Sequence, residues 1–404
     1  MPAARPASRP GEAAPRPPRR VVICGAGIVG VSTAYYLSRA ADRDLDVTVV
    51  DSLGVAQCAS GRAGGFLALG WSDGAPLEPL SRAGWALHMD LWAELKKDVG
   101  YRHVHAFAAT VDARRPASGG GDAAAAKAHP ALTSWLRHVT SHQPMCAPRD
   151  SAQVHPGKLT NHLMALAKEK GVRFRLGTAE GLRYRDPDAE VPTVAAVVVD
   201  GEEVPADVVV IAMGPWSGRA SRWLPSRSDF PSAITGSVAY SIVLKPEAVL
   251  PAQAVFLDYR DDHGTNDAEV RKGPIYPRPD EVYLCTAHPD APLPDRPSDV
   301  KISETVSRRL LEIAQTASPL LEGVAEPETR QTCFLPLSPD GKPLIGHVAG
   351  VEGVIAATGH SCWGILSGPV TGKVVSEIIV GGRAESVDIA SYEAARFARR
   401  GSRH

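Results

Sequence analysis

Three glycines near the start of the chain, Gly25, Gly27 and Gly30, have G-x-G-x-x-G spacing. The apolar residues before them, 21–24, are typical of a buried parallel strand, and residues 31–39 show helical periodicity. In such a unit the first glycine permits a tight turn, the second lets the backbone approach a pyrophosphate, and the third lets the helix pack closely on the strand. N–H groups at the start of the helix would face the phosphates. The pattern predicts a dinucleotide site.

A second strand-like run, 45–50, ends at Asp51, roughly 20 residues beyond the glycines. An acidic residue at this distance suits a hydrogen bond to a ribose 2′-hydroxyl. The alternative is a glycine turn in an α/β protein that binds no nucleotide. The complete order of strand, turn, helix, strand and acid favours the dinucleotide site over that alternative.

The segment after Asp51, residues 52–66, is dense in small residues that would leave main-chain N–H groups free. Such a segment can wrap a second part of a bound cofactor, with Arg62 near a phosphate. A flexible surface loop is the alternative. Because Gly64 and Gly65 lead into apolar residues 66–69, we expect the segment to turn inward.

The composition of the 404-residue chain is ordinary for a soluble globular protein, with 44% hydrophobic and 22% charged residues. Its length suffices for two domains. The formal net charge of −1 gives no general attraction to nucleic acid or an anionic membrane, so neither is expected as a partner. No window approaches about 18 uninterrupted apolar residues, which predicts that no helix spans a membrane.

The cysteines and the N-terminus bear on the compartment. Six cysteines lie far apart without a C-x-x-C pair, and no H-E-x-x-H motif occurs, so we predict a reducing compartment and no metal site. The first 20 residues are rich in Ala, Pro and Arg but lack the apolar core of a secretory signal. We predict that residues 1–19 form a disordered tail and that the protein is cytoplasmic. The alternative is an organelle-targeting peptide within residues 1–20.

The elements that must position these residues are of two kinds. Buried strands of the dinucleotide-binding type are predicted at 21–24, 207–211 and 354–358, at the start, middle and end of the chain. Runs at 237–244, 254–258 and 282–287 indicate strands of a different, mixed or antiparallel sheet. Helices are predicted at 80–99, 303–317 and 372–379, and a flexible insertion at 113–128. The two domains are therefore expected to be interleaved along the chain.

Further motifs make the chain resemble a known family. These are the turn Ala212–Gly214 and a C-terminal segment with Asp340-Gly341, Gly359 and Gly364. The chain is similar to the FAD-dependent oxidoreductases of the D-amino-acid oxidase superfamily, which includes glycine oxidase and monomeric sarcosine oxidase. The likeness spans about residues 20–398, and segments such as 275–280 and 359–364 look closest to uncharacterised plant and fungal members.

The resemblance implies an α/β fold in which a Rossmann-like FAD-binding domain is interleaved with an α+β substrate domain built on a mixed or antiparallel sheet. The FAD domain would comprise residues 20–79, 150–235 and 333–398. The substrate domain would comprise residues 80–149 and 236–332.

By position in the family's motifs, 25–30 would hold the pyrophosphate, Asp51 the ribose and Ala179 the adenine. The segment 60–65 would follow the diphosphate, and 359–366 would meet the flavin ring. The FAD-contacting residues implied by the resemblance are Gly25, Ala26, Gly27, Ile28, Val29, Gly30, Asp51, Ser52, Ser60, Arg62, Ala63, Gly64, Gly65, Ala179, Ala212, Gly214, Trp216, Cys333, Gly359, His360, Cys362, Trp363, Gly364, Ile365 and Leu366.

The chain departs from the family at the carboxylate clamps. Leu335 stands where glycine oxidase carries an arginine for the substrate carboxylate, and Leu366 stands where sarcosine oxidase carries a lysine. A carboxylate in a dry pocket needs such a partner. Arg62 and Arg278 are the candidate substitutes. The departures disfavour a plain α-amino acid as substrate.

Three residues have roles that the sequence leaves open. Cys333 stands where sarcosine oxidase bonds covalently to its flavin, but a buried packing cysteine is favoured over a covalent link. His360 and Trp363 are the candidate catalytic residues, as a general base or positive group and as an aromatic wall. Packing within their own loop is the alternative.

The resemblance implies an FAD-dependent oxidoreductase that oxidises the C–N bond of a small amine or amino-acid-like substrate, with O₂ as acceptor and H₂O₂ as product. One alternative is a dehydrogenase that passes electrons to another acceptor. A second is a non-catalytic flavin-bound regulatory or trafficking protein.

Overall fold

A computed structural model describes residues 19–40, 44–95, 98–114, 132, 134–262, 272–287 and 291–397. Residues 1–18 of the predicted tail and almost all of the predicted insertion at 113–128 lie outside these ranges, whereas Arg19, the last residue of that tail, begins the first strand. The strands are β1 (Arg19–Cys24), β2 (Leu45–Asp51), β3 (Phe66–Ala68), β4 (Arg102–His103), β5 (His105–Asp112), β6 (Val139–Cys146), β7 (Ser151–Gln153), β8 (Arg173–Leu176), β9 (Ala179–Tyr184), β10 (Val194–Val199), β11 (Glu202–Pro205), β12 (Val208–Ile211), β13 (Thr235–Leu244), β14 (Gln253–Arg260), β15 (Lys272–Pro277), β16 (Val282–Ala287), β17 (Thr329–Leu337), β18 (Leu344–His347) and β19 (Val354–Thr358). The α-helices are α1 (Ile28–Ser38), α2 (Ala59–Arg62), α3 (Glu78–Glu94), α4 (Pro156–Glu169), α5 (Glu304–Ala317) and α6 (Gly364–Gly381).

A six-stranded sheet has the order β18-β19-β12-β1-β2-β8 and is parallel except at its β18 edge. Side chains of β1 alternate between two apolar layers, which is why the strand reads as a continuous apolar run. Val21 and Ile23 face the layer of α1, α4 and α6. Val22 and Cys24 face the small antiparallel sheet β9-β10-β11. The predicted strands at the start, middle and end of the chain are confirmed as neighbours in this sheet.

Helix α6 is longer than the predicted helix 372–379. The prediction missed its first half, because that half contains residues that usually interrupt helices. Small residues at these positions bring α6 close to α1. A Cβ atom on Gly368 would lie 2.7 Å from the Ile28 side chain, and one on Gly372 would lie 2.5 Å from Ser32. Packing against α1 therefore overrides the low helix propensity of the glycines and of Pro369.

A seven-stranded sheet, β17-β13-β16-β15-β14-β5-β6, confirms the predicted second sheet. It is mixed, because β14 and β5 are parallel while the other pairs are antiparallel. Helix α5 covers one face with Leu310, Leu311 and Ile313. Its N-terminus is capped by Ser303, whose hydroxyl accepts a hydrogen bond from Val306 N–H at 3.3 Å. On the opposite face, Tyr276 and Tyr283 lie against Gly64 of the loop that follows α2.

Helix α3 joins the core beside the six-stranded sheet, where Leu80, Trp85 and Leu91 pack with α6. The helix ends at Glu94, before the predicted end at 99, because Leu95 is extended. The predicted division into two domains stays a prediction. Within the described ranges, no helix is both long and apolar enough to cross a membrane.

Candidate active site

A cleft opens at the carboxyl ends of the parallel strands, where α/β sheets of this type bind ligands. Its volume is about 1240 Å³, including space that is open to solvent. Many of the predicted cofactor residues line it together. They are Gly25, Gly27, Ile28, Val29, Asp51, Ser52, Ser60, Ala63, Ala179, Ala212, Gly214, Trp216, His360, Cys362, Gly364 and Ile365.

The three glycines build a turn that leaves no room for side chains. Gly25 has a φ of +113°, and a Cβ atom on it would lie 2.2 Å from the Ala212 carbonyl oxygen. A Cβ atom on Gly30 would lie 2.0 Å from the Gly25 oxygen. Ser60 Oγ accepts a hydrogen bond from Ile28 N–H at 2.8 Å, which joins α2 to the start of α1. The turn and the helix N-terminus fit a pyrophosphate group.

Asp51 fixes the same turn from the end of β2. Its Oδ2 accepts a hydrogen bond from Ala26 N–H at 2.9 Å. Its Oδ1 accepts hydrogen bonds from Leu53 N–H at 2.9 Å and Gly54 N–H at 3.1 Å. Each carboxylate oxygen has two lone pairs, so Oδ2 retains capacity for a ribose hydroxyl.

Several predicted cofactor residues do not line this cleft. They are Ala26, Gly30, Arg62, Gly64, Gly65, Cys333, Gly359, Trp363 and Leu366. Arg62, which is predicted near a phosphate, instead donates a hydrogen bond to the Thr332 carbonyl on β17. Gly64 lies against Tyr276, since a Cβ atom there would be 2.5 Å from the tyrosine ring.

Arg278 fastens the loop that contains Ala63 and Gly64. Its Nη2 donates hydrogen bonds to the Ala63 oxygen at 3.0 Å and the Gly64 oxygen at 3.1 Å. Its Nη1 pairs with Glu281, and its Nε is buried without a partner among the described residues. The guanidinium also lies 5.1 Å from the centre of the Tyr283 ring. Because both terminal nitrogens of Arg278 already have partners, the structure does not support its candidate role as a carboxylate clamp.

His360 lines the cleft but is only 3% exposed. Its Nε2 lies 2.9 Å from Thr371 Oγ1. Burial lowers the pKa of His360 to about 4, so the ring is neutral near pH 7. A neutral imidazole can accept or donate a proton at this end of the cleft but does not supply a positive charge.

Cys333 is buried on β17 outside the cleft lining. Burial raises the pKa of its thiol to about 12. Covalent attachment to a flavin needs the thiolate, so this environment favours the packing interpretation. The covalent alternative is not tested by the structure and stays a prediction.

A buried histidine that sequence motifs do not reveal positions the loop 359–366. His88 of α3 has Nε2 2.8 Å from the Ile365 carbonyl oxygen and Nδ1 2.6 Å from the Tyr101 hydroxyl. Since a carbonyl can only accept, Nε2 carries the proton and Nδ1 accepts from Tyr101. Burial lowers the pKa of His88 to about 4, which keeps this neutral tautomer.

Aromatic rings gather beside the loops 60–66 and 359–366. We call them the aromatic cluster: Phe66, Trp71, Phe256, Tyr276, Tyr283 and Trp363. Only Trp363 is among the predicted site residues. The others come from separate strands and loops, so no local spacing in the sequence indicates that they meet.

Comparisons with known proteins agree with this geometry. The chain is 29% identical to C1F5.03c of Schizosaccharomyces pombe, a protein with the provisional name of an oxidoreductase, over 92% of this chain and 96% of that one. In fold it is similar to glycine oxidase from Geobacillus kaustophilus, with TM-score 0.72, 21% identity and coverage of 94% of this chain and 99% of that chain. It is also similar to iminodiacetate oxidase from Chelativorans, with TM-score 0.68, 19% identity and coverage of 93% and 98%. The family model for FAD dependent oxidoreductases, DAO, matches residues 20–378, and the chain belongs to this family.

Proposed function

We propose that this protein oxidises the C–N bond of a small amine or amino-acid-like substrate and that O₂ is the electron acceptor. The observation that carries the proposal is that the seven-stranded sheet reaches the cleft formed by the predicted cofactor loops. Leu335 and Pro336 of the seven-stranded sheet line the same cleft as Ala63 and Gly364. A substrate can therefore lie between that sheet and the cofactor.

The turn 25–30, Asp51 and the loop 359–366 would hold FAD, which would supply the two-electron oxidation of the carbon next to the amine nitrogen, with O₂ reduced to H₂O₂. In net terms, one amine and one O₂ become one imine and one H₂O₂. Water then hydrolyses the imine to a carbonyl compound and the free amine or ammonia. The residues of the chain have to bind the amine, orient its C–H bond and keep the nitrogen deprotonated.

The residues around this end of the cleft suit those tasks. His360 is neutral and buried, so it adds no charge of its own beside the deprotonated amine. The N-terminus of α6, at Gly364, points N–H groups and the positive end of the helix dipole at the cleft. Such groups can stabilise negative charge on a reduced cofactor.

Steady-state H₂O₂ release with a panel of amines and amino acids tests this proposal. Anaerobic bleaching of the flavin by the same compounds separates substrate oxidation from the choice of acceptor. Bleaching without H₂O₂ on admission of air would indicate a dehydrogenase with another acceptor. Failure of every compound to bleach the flavin would favour the non-catalytic alternative and contradict the proposal.

A further inference from the structure

We infer that the substrate is an amine with an apolar or aromatic substituent and without a carboxylate beside the reacting C–N bond. This inference rests on the proposed function and names its substrate class. Three observations support it. One face of the seven-stranded sheet is uncharged around Leu335, the aromatic cluster is partly exposed, and the neighbouring arginines already bind other groups.

The register of the seven-stranded sheet decides which side chains face the cleft. Residues paired across antiparallel strands share a face. Cys333 pairs with Ala239, Ser241 with Cys285, and Tyr283 with Tyr276. Because Ala239 and Ser241 are two residues apart, all of these side chains lie on one face, together with Leu335. Leu335 lines the cleft at one end of this face, and Tyr276 and Tyr283 continue the face beyond the cleft lining.

The charged residues of the same face lie at the far end of the strands. Asp258, near the end of β14, and Lys272, at the start of β15, are cross-strand neighbours. Arg278 follows the opposite end of β15. Between these charged positions the face consists of uncharged residues, which run from Leu335 at the cleft to Tyr283 and Tyr276.

The aromatic cluster continues this face toward the loop 359–366. Phe66 stacks on Tyr276 with ring centres 5.8 Å apart, and Trp71 lies 6.2 Å from Trp363. Tyr276 is buried, whereas Phe66, Trp71 and Trp363 are half-buried and expose part of their rings. Aromatic surface of this kind binds apolar groups and attracts ammonium groups through its negative face.

The arginines nearest this face already form hydrogen bonds or ion pairs with other groups. Arg62 donates to Thr332 and Arg278 to the loop carbonyls. Arg102 donates to Gln153 at 3.1 Å and to the Pro277 oxygen. Arg219 lines the cleft, but it pairs at 3.0 Å with an Asp295 side chain that is 99% exposed, at the solvent side. Among the residues that the structure describes, each of these four guanidinium groups already has a carbonyl, amide or carboxylate partner, so a substrate carboxylate at the aromatic face would have to compete for them; an unpaired buried charge is strongly unfavourable.

Matched pairs of ligands test this on the FAD-loaded wild-type protein. The pairs are 2-phenylethylamine with phenylalanine, and benzylamine with phenylglycine, using both enantiomers of each amino acid. We expect a Kd at least about tenfold lower for the amine in each pair, from anaerobic calorimetry, with the same order in flavin bleaching rates. An amino acid that binds as tightly as its amine overturns the inference.

A second experiment introduces the absent clamp. In Leu335→Arg we expect phenylalanine binding to tighten by at least about tenfold relative to wild type, because the guanidinium can pair with the carboxylate. Leu335→Gln is the matched control, which adds polarity without charge and should not gain phenylalanine binding. If L335R holds FAD but gains nothing, Leu335 does not face the substrate, and the inference is overturned. If L335R loses FAD, the wild-type pairs decide.

Binding without turnover separates this inference from the proposed function. Benzyltrimethylammonium and benzoate differ in charge, and neither has an amine that can be oxidised to an imine. Tighter binding of the cation with no bleaching by any amine would contradict the proposed function alone. Bleaching by amino acids in preference to amines would support the proposed function and overturn the inference.

Discussion

The guanidinium of Arg278 donates a hydrogen bond to the carbonyl oxygen of Gly64 at 3.1 Å. This contact joins the end of β15 to the loop that follows α2. The Tyr283 hydroxyl adds a second link by donating to the Arg62 carbonyl at 3.0 Å. The loop that lines the cofactor cleft is thus held in place by the seven-stranded sheet, which under the proposed function would also face the substrate.

Arg278→Lys should weaken FAD binding. A lysine ammonium is a compact donor that cannot reach the Ala63, Gly64 and Glu281 oxygens together. We expect the Kd for FAD to rise roughly tenfold and the free energy of unfolding to fall by about 1–3 kcal/mol, since a buried hydrogen-bonded charge is disturbed. Quenching of flavin fluorescence on titration into apoprotein measures the first quantity, and urea denaturation measures the second.

Arg149→Lys is the control, because Arg149 is 86% exposed and pairs with the adjacent Asp150. This variant should keep both values within error. Unchanged FAD affinity in Arg278→Lys would show that the loop holds its conformation without the guanidinium.

The cofactor half of the fold can be predicted from sequence because its signals are local. Gly25, Gly27, Gly30 and Asp51 lie within one strand–turn–helix–strand unit, where spacing alone specifies the geometry. Gly25, Gly27 and Asp51 line the cleft, and Gly30 packs on the turn beside it, whereas their contacts with the cofactor stay a prediction. The hairpin at 194–205 is likewise specified by its own Asp200-Gly201 turn.

The substrate half is set by contacts that are distant in sequence. The aromatic cluster draws on Phe66, Phe256 and Trp363, which no periodicity relates. His88 acts on Ile365 across 277 positions of the chain. Arg62 looks like a phosphate ligand in sequence, but the neighbouring strand provides a carbonyl that it meets instead. Tertiary packing decides each of these positions, so local sequence cannot.

Gly30→Ala should destabilise the cofactor domain. The added Cβ atom would lie 2.0 Å from the Gly25 oxygen, which is backbone and cannot move without opening the turn. We expect a loss of about 1–3 kcal/mol in the free energy of unfolding, as for other overpacked sites, together with weaker FAD binding. Gly323→Ala is the matched control, because nothing lies within 4 Å of its Cβ position. Equal urea midpoints for the two variants would contradict the predicted close approach of α1 to the turn.

Cys333→Ala should leave the flavin content unchanged. With the thiol pKa raised to about 12, roughly one molecule in 10⁵ carries a thiolate at pH 7, too few to favour a covalent link. We expect acid precipitation of the wild-type protein to release all of its flavin into the supernatant, as in the variant. Yellow colour that stays in the wild-type pellet and is absent from the Cys333→Ala pellet would establish covalent attachment.

Stability should fall as the pH drops from about 6.5 to about 4. Burial lowers the pKa of His88 and His360 to about 4, whereas histidines of the unfolded chain titrate near 6.5. In this window the unfolded chain binds protons that the folded protein does not, which favours unfolding. Each histidine can contribute up to about 1.4 kcal/mol per pH unit, and the contribution is constant above 6.5.

The variant His360→Gln tests this, because glutamine can still bond to Thr371 but does not titrate. We expect urea denaturation between pH 4.5 and 7.5 to show a shallower pH dependence, by about one proton at most. His347→Gln, at an exposed position, should retain the full slope. Below this window Asp340 adds a separate acid sensitivity, because partial desolvation is outweighed by hydrogen bonding and ion pairing with Arg396, which lower the pKa of its carboxyl to about 2. An unchanged slope in His360→Gln would mean that folding does not lower the pKa of His360, which would contradict the prediction.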